Sequence, residues 1–304
     1  MSDAGFLRFD LGMECEMGRA RQTFERRQLG LTLRRLREEA GLTQQAAADK
    51  IGRVRSRIVE LEEGKGTLNQ DDLSKLLECY QVGAETRRTV LALGREARKR
   101  QRGGRHADLL PDSWQRFADL EASATEINNF ELGLVPGLLQ SAAYIRAIMT
   151  EANGIWWEPS DQVIDERITF RFERQSQLLG RGQNRRLRFV IAEDVLRTNL
   201  GDQEAMAGQL RHLIDLVDTR PHVTVQVLPT GIPVHPARGG SFLVFGFGGK
   251  APPVGMAKVV FGPEVYFDDP TDTAAMLRAF DRLRELALPP EESRQLINEI
   301  AQVI

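Results

Sequence analysis

At 304 residues, 41% hydrophobic and 28% charged, the chain is long enough for two domains that each bury a core. No run approaches the roughly 20 apolar residues of a membrane helix, and the opening residues lack an apolar run before a cleavage site, so a cytoplasmic protein without membrane contact is expected. The net charge of −2 is unevenly spread: residues 21–105 carry 20 Lys/Arg against 12 Asp/Glu, and residues 106–304 carry 19 against 27. A basic segment on an acidic body suits a polyanion partner at one end, although a solvated basic face is the plainer reading.

Residues 1–21 lack periodicity and read as a mobile N-terminal arm before a helical domain over 22–101. Leu29, Leu33, Leu36 and Ala40 then recur at helical spacing, with Arg34, Arg35, Arg37, Glu38 and Glu39 assigned to the outer face. Gly41 stops this helix and Thr43 caps a short one over Gln44–Ile51. After Gly52 another spans about Arg55–Glu63 and stops at Gly64. Helices over Asn69–Tyr80 and Glu85–Gln101 complete a mainly α, five-helix unit, in which Cys79 packs inward. With Cys15 it makes two distant cysteines, too few for a disulfide framework or a cysteine zinc site. A basic linker is expected over 102–112.

Beyond Pro111 strand patterns begin. Helical periodicity covers 113–131, 138–150, 161–180, 202–218, 271–287 and 290–303. Strands are expected at Leu187–Ile191, Val223–Val227, Ser241–Phe247, Val254–Phe261 and Val265–Phe267. The second domain, 113–304, is therefore α/β (α+β), a small sheet flanked by helices.

The most informative stretch is Gly41–Gly64. Two short helices across a tight turn need small residues where they cross, which Ala47 and Ala48 supply, and a residue tolerant of positive φ, which Gly52 supplies. Ile51, Ile58 and Leu61 close a core against Leu33 and Leu36, leaving the outer face of the second helix free for a major groove. A helical bundle used only for protein contact is the alternative.

In GLTQ, the small residues before Ile51-Gly52, and the Ile58, Leu61-Glu62 and Gly64 ending, residues 26–80 resemble the Cro/repressor (XRE) class of helix-turn-helix domains. The resemblance implies that Arg55, Ser56, Val59 and Glu60 face base edges. It assigns Thr43, Gln44, Arg53, Arg57 and Lys65 to phosphates, and implies a homodimer on a palindromic double-stranded operator. Two residues depart from the class: Val54 stands where a capping Ser or Thr is usual, and Glu60 where Arg is common.

Farther along, Leu134–Gln140 (LVPGLLQ), Arg167, Arg171 and Glu173-Arg174-Gln175 on one helix, Gln209–Leu213, Val223–Pro229, His235-Pro236, Phe242 and Phe280–Leu283 resemble actinobacterial two-domain regulators with an antitoxin-like C-terminal domain of the WhiJ type. This implies a transcriptional regulator paired with a small protein encoded nearby. The likeness weakens at Met256–Gly262. Partner contacts are assigned to Arg167, Arg171, Arg174 and His235; a paired, solvated helix face and an ordinary loop are the blander readings. Trp156-Trp157 reads as core, dimer packing or an interaction patch.

Neither a nucleophile–base set, a phosphate loop nor metal-ligand spacing among the four histidines is found, so no enzyme, cofactor or metal is expected. The reading is a DNA-binding regulator, a repressor in preference to an activator. Two others stay open: an antitoxin whose DNA binding is autoregulatory, and a small-molecule sensor with its effector pocket near residues 231–247.

Overall fold

The computed structural model describes residues 22–99, 105–151, 160–180, 184–198, 203–260 and 262–304. The arm expected over 1–21, Cys15 and Trp156-Trp157 lie outside them. Five helices come first: α1 (Phe24–Glu39), α2 (Gln44–Lys50), α3 (Arg55–Glu62), α4 (Gln70–Cys79) and α5 (Ala84–Arg98). Thr23, Thr43 and Asn69 cap α1, α2 and α4 through side-chain oxygens that accept backbone N–H bonds, each satisfying one otherwise orphaned donor. Leu29, Leu33, Leu36, Ile58, Leu61, Leu73, Leu76 and Leu93 form their common core.

Among the described residues, seven strands make one mixed sheet ordered β1-β7-β6-β5-β2-β3-β4. They are β1 (Arg105–Ala107), β2 (Glu126–Glu131), β3 (Arg186–Ala192), β4 (Val223–Leu228), β5 (Phe242–Gly246), β6 (Val254–Ala257) and β7 (Val265–Phe267). Strands β2, β3 and β4 are parallel, as their helical crossovers require: α7 (Ala142–Glu151) and α8 (Asp161–Leu179), then α9 (Glu193–Arg197) and α10 (Gln203–Thr219). The remaining pairs are antiparallel. One face packs under α6 (Ser113–Ser123), α10 and α12 (Pro290–Val303), with Phe189, Leu210, Phe245 and Ile297 in its core. The other packs against α11 (Pro270–Leu286) through Phe130, Val244, Phe280 and Leu283.

Several expectations need correction. The helix predicted over 113–131 ends at Ser123, and Glu126–Glu131 is the strand between β5 and β3. Phe117, Leu120, Ala124 and Ile127 happen to sit at helical spacing, but the backbone at Ala124 is extended and the pairing of β2 on both edges prevails. The helix predicted over 138–150 is a 3₁₀ turn at Gly137–Leu139 followed by α7. The strand predicted to reach Phe261 stops at Ala257. Arg105–Ala107, within the expected linker, pairs with β7 as an edge of the sheet.

The two units share a buried seam, and α1 belongs to both. Its later turns supply the helical core, whereas Phe24 lies in the core under the sheet, stacked on Tyr266 at 4.5 Å between ring centres. His106 on β1 joins Glu25 of α1 (2.5 Å) to Asp268 (2.9 Å). Burial alone would lower the His106 pKa, but hydrogen bonds to Asp268 and Glu25 outweigh it and hold it up at about 9. Both ring nitrogens face carboxylates, so the doubly protonated form fits. Asp108, also buried, pairs with Arg116 of α6 (2.6 Å) and accepts from Gln28 of α1 (3.1 Å). Arg35, assigned to the outer face, instead binds Asp119 of α6 at 3.0 Å.

Candidate nucleic-acid interface

The turn between α2 and α3 follows from local residues. Gly52 has φ +64°, a backbone that a Cβ would strain, and Ala47 and Ala48 are fully buried at the crossing. Gly30 of α1 presses on the end of α3: a Cβ there would lie 2.4 Å from the Leu61 carbonyl oxygen. That close approach seats α3 on the body of the domain with one side toward solvent.

A buried polar network locks the pair. Arg37, assigned to the outer face, points inward and donates to Glu62 of α3 at 2.5 and 3.1 Å and to the Leu42 carbonyl at 2.7 Å. Glu62 also accepts from the Gln44 amide at 2.9 Å, and the Gln44 oxygen accepts from Arg55 at 3.2 Å. A chain of bonds thus runs from α1 through α3 and α2 to the guanidinium of Arg55. Sequence reasoning gave Arg37 and Glu62 no such role; the available signal was that Arg37 lies one i+4 step from Leu33 on the core stripe.

Arg55, Ser56 and Glu60 are exposed on α3, with half-buried Val59 beside them. Glu60 is paired: Arg57 donates to it at 3.2 Å while holding the Thr67 carbonyl at 2.6 Å. The remaining residues assigned to phosphates also have partners. The Thr43 hydroxyl caps α2 by accepting from Ala46 N–H (3.1 Å), Arg53 binds Asp72 (2.8 Å), and Lys65 binds Glu63 (2.6 Å). The Arg53 hydrogen bond holds the Asp72 carboxyl below the usual range. Val54, at the N-cap of α3, offers no side-chain acceptor and is 69% exposed. Arg57 and Lys65 are therefore surface cations whose carboxylate partners are exposed and cost little to exchange for phosphate, whereas Arg53, itself half-exposed, holds the buried Asp72.

Comparison with known families joins this geometry to the rest of the chain. A family described as a domain of unknown function, DUF5753, matches residues 114–299. The chain belongs to the DUF5753 family. A helix-turn-helix domain matches residues 28–90, which supports a DNA-binding regulator. No curated protein and no solved structure matches.

Within the DUF5753 region, the residues assigned to partner contacts divide into two places. Arg171 and Arg174 of α8 lie near the Val135–Gln140 turn: Arg171 donates to the Gln140 side-chain oxygen, and Arg174 binds Glu121 at 2.8 and 2.9 Å over the ring of Phe117. Arg167, one turn earlier, is exposed. His235 is elsewhere, edge-on to Phe130 across the sheet in a loop, its pKa lowered by burial and by Arg238. Gln175 bonds the Gln140 carbonyl (2.8 Å), Gln209 the Leu139 carbonyl (2.7 Å), and Tyr144 accepts from Val135 N–H (3.1 Å). The LVPGLLQ stretch is thus a turn caged by side chains from α7, α8 and α10. Among the described residues no cluster of His, Cys, Asp or Glu could hold a metal ion.

Proposed function

We propose that this DUF5753 chain is a non-catalytic, sequence-specific transcriptional regulator of the Cro/repressor (XRE) type, acting in the cytoplasm on the nucleoid. The carrying observation is the Arg37–Glu62–Gln44–Arg55 chain, which fixes α3 against the domain while Arg55, Ser56 and Glu60 face outward. Arg55 has the donors to read guanine bidentately, Glu60 can accept from a cytosine amine, and Val59 can meet a thymine methyl. Arg53, Arg57 and Lys65 would exchange their present carboxylates for phosphates, with Thr43 and Gln44 at the start of α2 adding polar contacts.

One such helix reads too few base pairs for genomic specificity, so a homodimer on a palindrome is the form proposed. Repression follows from simple occlusion of the operator. The antitoxin-like DUF5753 domain would receive the signal, a small partner protein or a small effector, and pass it to α1 through the shared seam. Selection of bound genomic fragments by the full-length protein tests this reading. Paired, inverted half-sites with centres about 10 bp apart, or a multiple of that, are expected. Recovery of fragments with no common sequence would overturn it.

A further inference from the structure

A cleft of about 860 Å³ lies on the sheet face beneath α6 and α8. That volume is within the range of small-molecule sites, roughly 300–1,000 Å³. Its floor is a row of adjacent residues, Asn129, Leu243, Met256 and Tyr266, aligned across β2, β5, β6 and β7 by the strand register. Trp114 and Phe117 of α6 form one wall, Arg171 of α8 stands on another, and the caged Val135–Gln140 turn closes an end. Trp114 is 53% exposed and Leu134 at the rim 42%, so the apolar lining is open to an entering molecule.

Two polar groups in this lining are incompletely satisfied. Asn129 is 4% exposed, and its Oδ1 has no hydrogen-bond partner among the described residues. A buried acceptor left unpaired carries a desolvation penalty that a ligand donor would relieve. Arg171 donates to the neutral Gln140 and has no ion-pair partner among the described residues, the nearby Glu121 being engaged by Arg174 on both oxygens. Burial, then repulsion from Arg174 and Arg167, lowers the Arg171 pKa to about 10. Of the other carboxylates of the lining, Asp108 is paired with Arg116 and Glu131 with Lys258, while Glu264 accepts from the Val259 N–H and burial raises its pKa. The cation left without a counter-ion among the described residues of the lining is Arg171.

We infer that the cleft binds a small amphipathic organic acid, its anionic group on Arg171, a hydroxyl or amine donor on Asn129, and its apolar body between Trp114, Phe117 and the Leu243–Met256 floor. The same α6 that walls the cleft carries Asp119 and Arg116, which tie it to α1 through Arg35 and through Asp108 and Gln28. The site is thus one helix removed from the helix-turn-helix unit. This inference goes beyond the DNA-binding reading and is tested without DNA, so failure of one leaves the other standing.

The probes are 1-anilinonaphthalene-8-sulfonate, a fluorogenic aromatic anion, and the pair 4-phenylbutyrate and 4-phenylbutan-1-ol, which share an apolar body and differ at the carboxylate. With the full-length protein, one fluorophore should bind per chain, and the acid should displace it at about tenfold lower concentration than the alcohol. Arg171→Gln should weaken fluorophore binding about tenfold or more, while Arg282→Gln on the exposed side of α11 leaves it unchanged. Equal displacement by acid and alcohol on the unaltered protein would overturn the inference without any variant. So would unchanged binding by a folded Arg171→Gln protein.

Discussion

The outward side of α3 and the inner side of α1 use the same residue types to opposite ends. On α3 the Arg57–Glu60 pair is 39% and 53% exposed, and such pairs contribute about 0–1 kcal/mol. Along α1, the Arg37–Glu62 pair, the Glu25–His106–Asp268 bridge and the Gln28–Asp108–Arg116 set are buried, where loss of one member strands a polar or charged group. The contrast separates a face that can exchange partners cheaply from a seam that cannot. It also bears on regulation. Because Phe24 at the start of α1 is packed under the sheet, the helix-turn-helix unit is held against the DUF5753 domain by its own first helix.

Arg116→Ala should break this contrast most severely. It leaves Asp108 buried without its bidentate partner, with an expected loss of about 3–5 kcal/mol in urea unfolding. A loss below about 1 kcal/mol would place the seam on the same footing as the surface pairs of α3.

The His106 bridge gives the next effect, through pH. Its folded pKa of about 9 lies above the ordinary 6.5, so the protonated form stabilises the fold. That stabilisation is complete below about pH 6.5 and drains away as pH rises toward 9, a decline on the order of 2–3 kcal/mol after allowing for solvent screening of the bridge. His106→Gln should flatten this part of the stability–pH profile. An unchanged slope in the variant would assign the pH dependence to other groups.

How much of this was legible in the sequence depended on the range of the interactions. The α2–turn–α3 unit is written in near neighbours: Thr43 as cap, Ala47-Ala48 at the crossing, Gly52 at the turn, Ile58 and Leu61 facing in. Strand β2 was misread because Phe117, Leu120, Ala124 and Ile127 imitate a helical stripe, and because Asn128-Asn129 is poor strand sequence that only two flanking strands make tolerable. Arg105–Ala107 looked like linker because its partner, β7, lies about 160 residues away. Arg37 and Arg35 looked like surface because their carboxylates are on α3 and α6. The LVPGLLQ stretch stood out as a motif, but its role as one end of a cleft needed the positions of α7, α8 and α10. The row Asn129–Leu243–Met256–Tyr266 exists only once four strands are in register.

The smallest expected change is the most direct test of the reading face. Arg55→Ala removes an exposed guanidinium whose partner is Gln44, so folding stability should stay within about 0.5 kcal/mol. Binding to a selected operator should weaken by about 1–3 kcal/mol, with preference relaxed at one base position and little change on random duplex at matched salt. Equal weakening on both duplexes, or none on either, would contradict the assignment of α3 to the major groove.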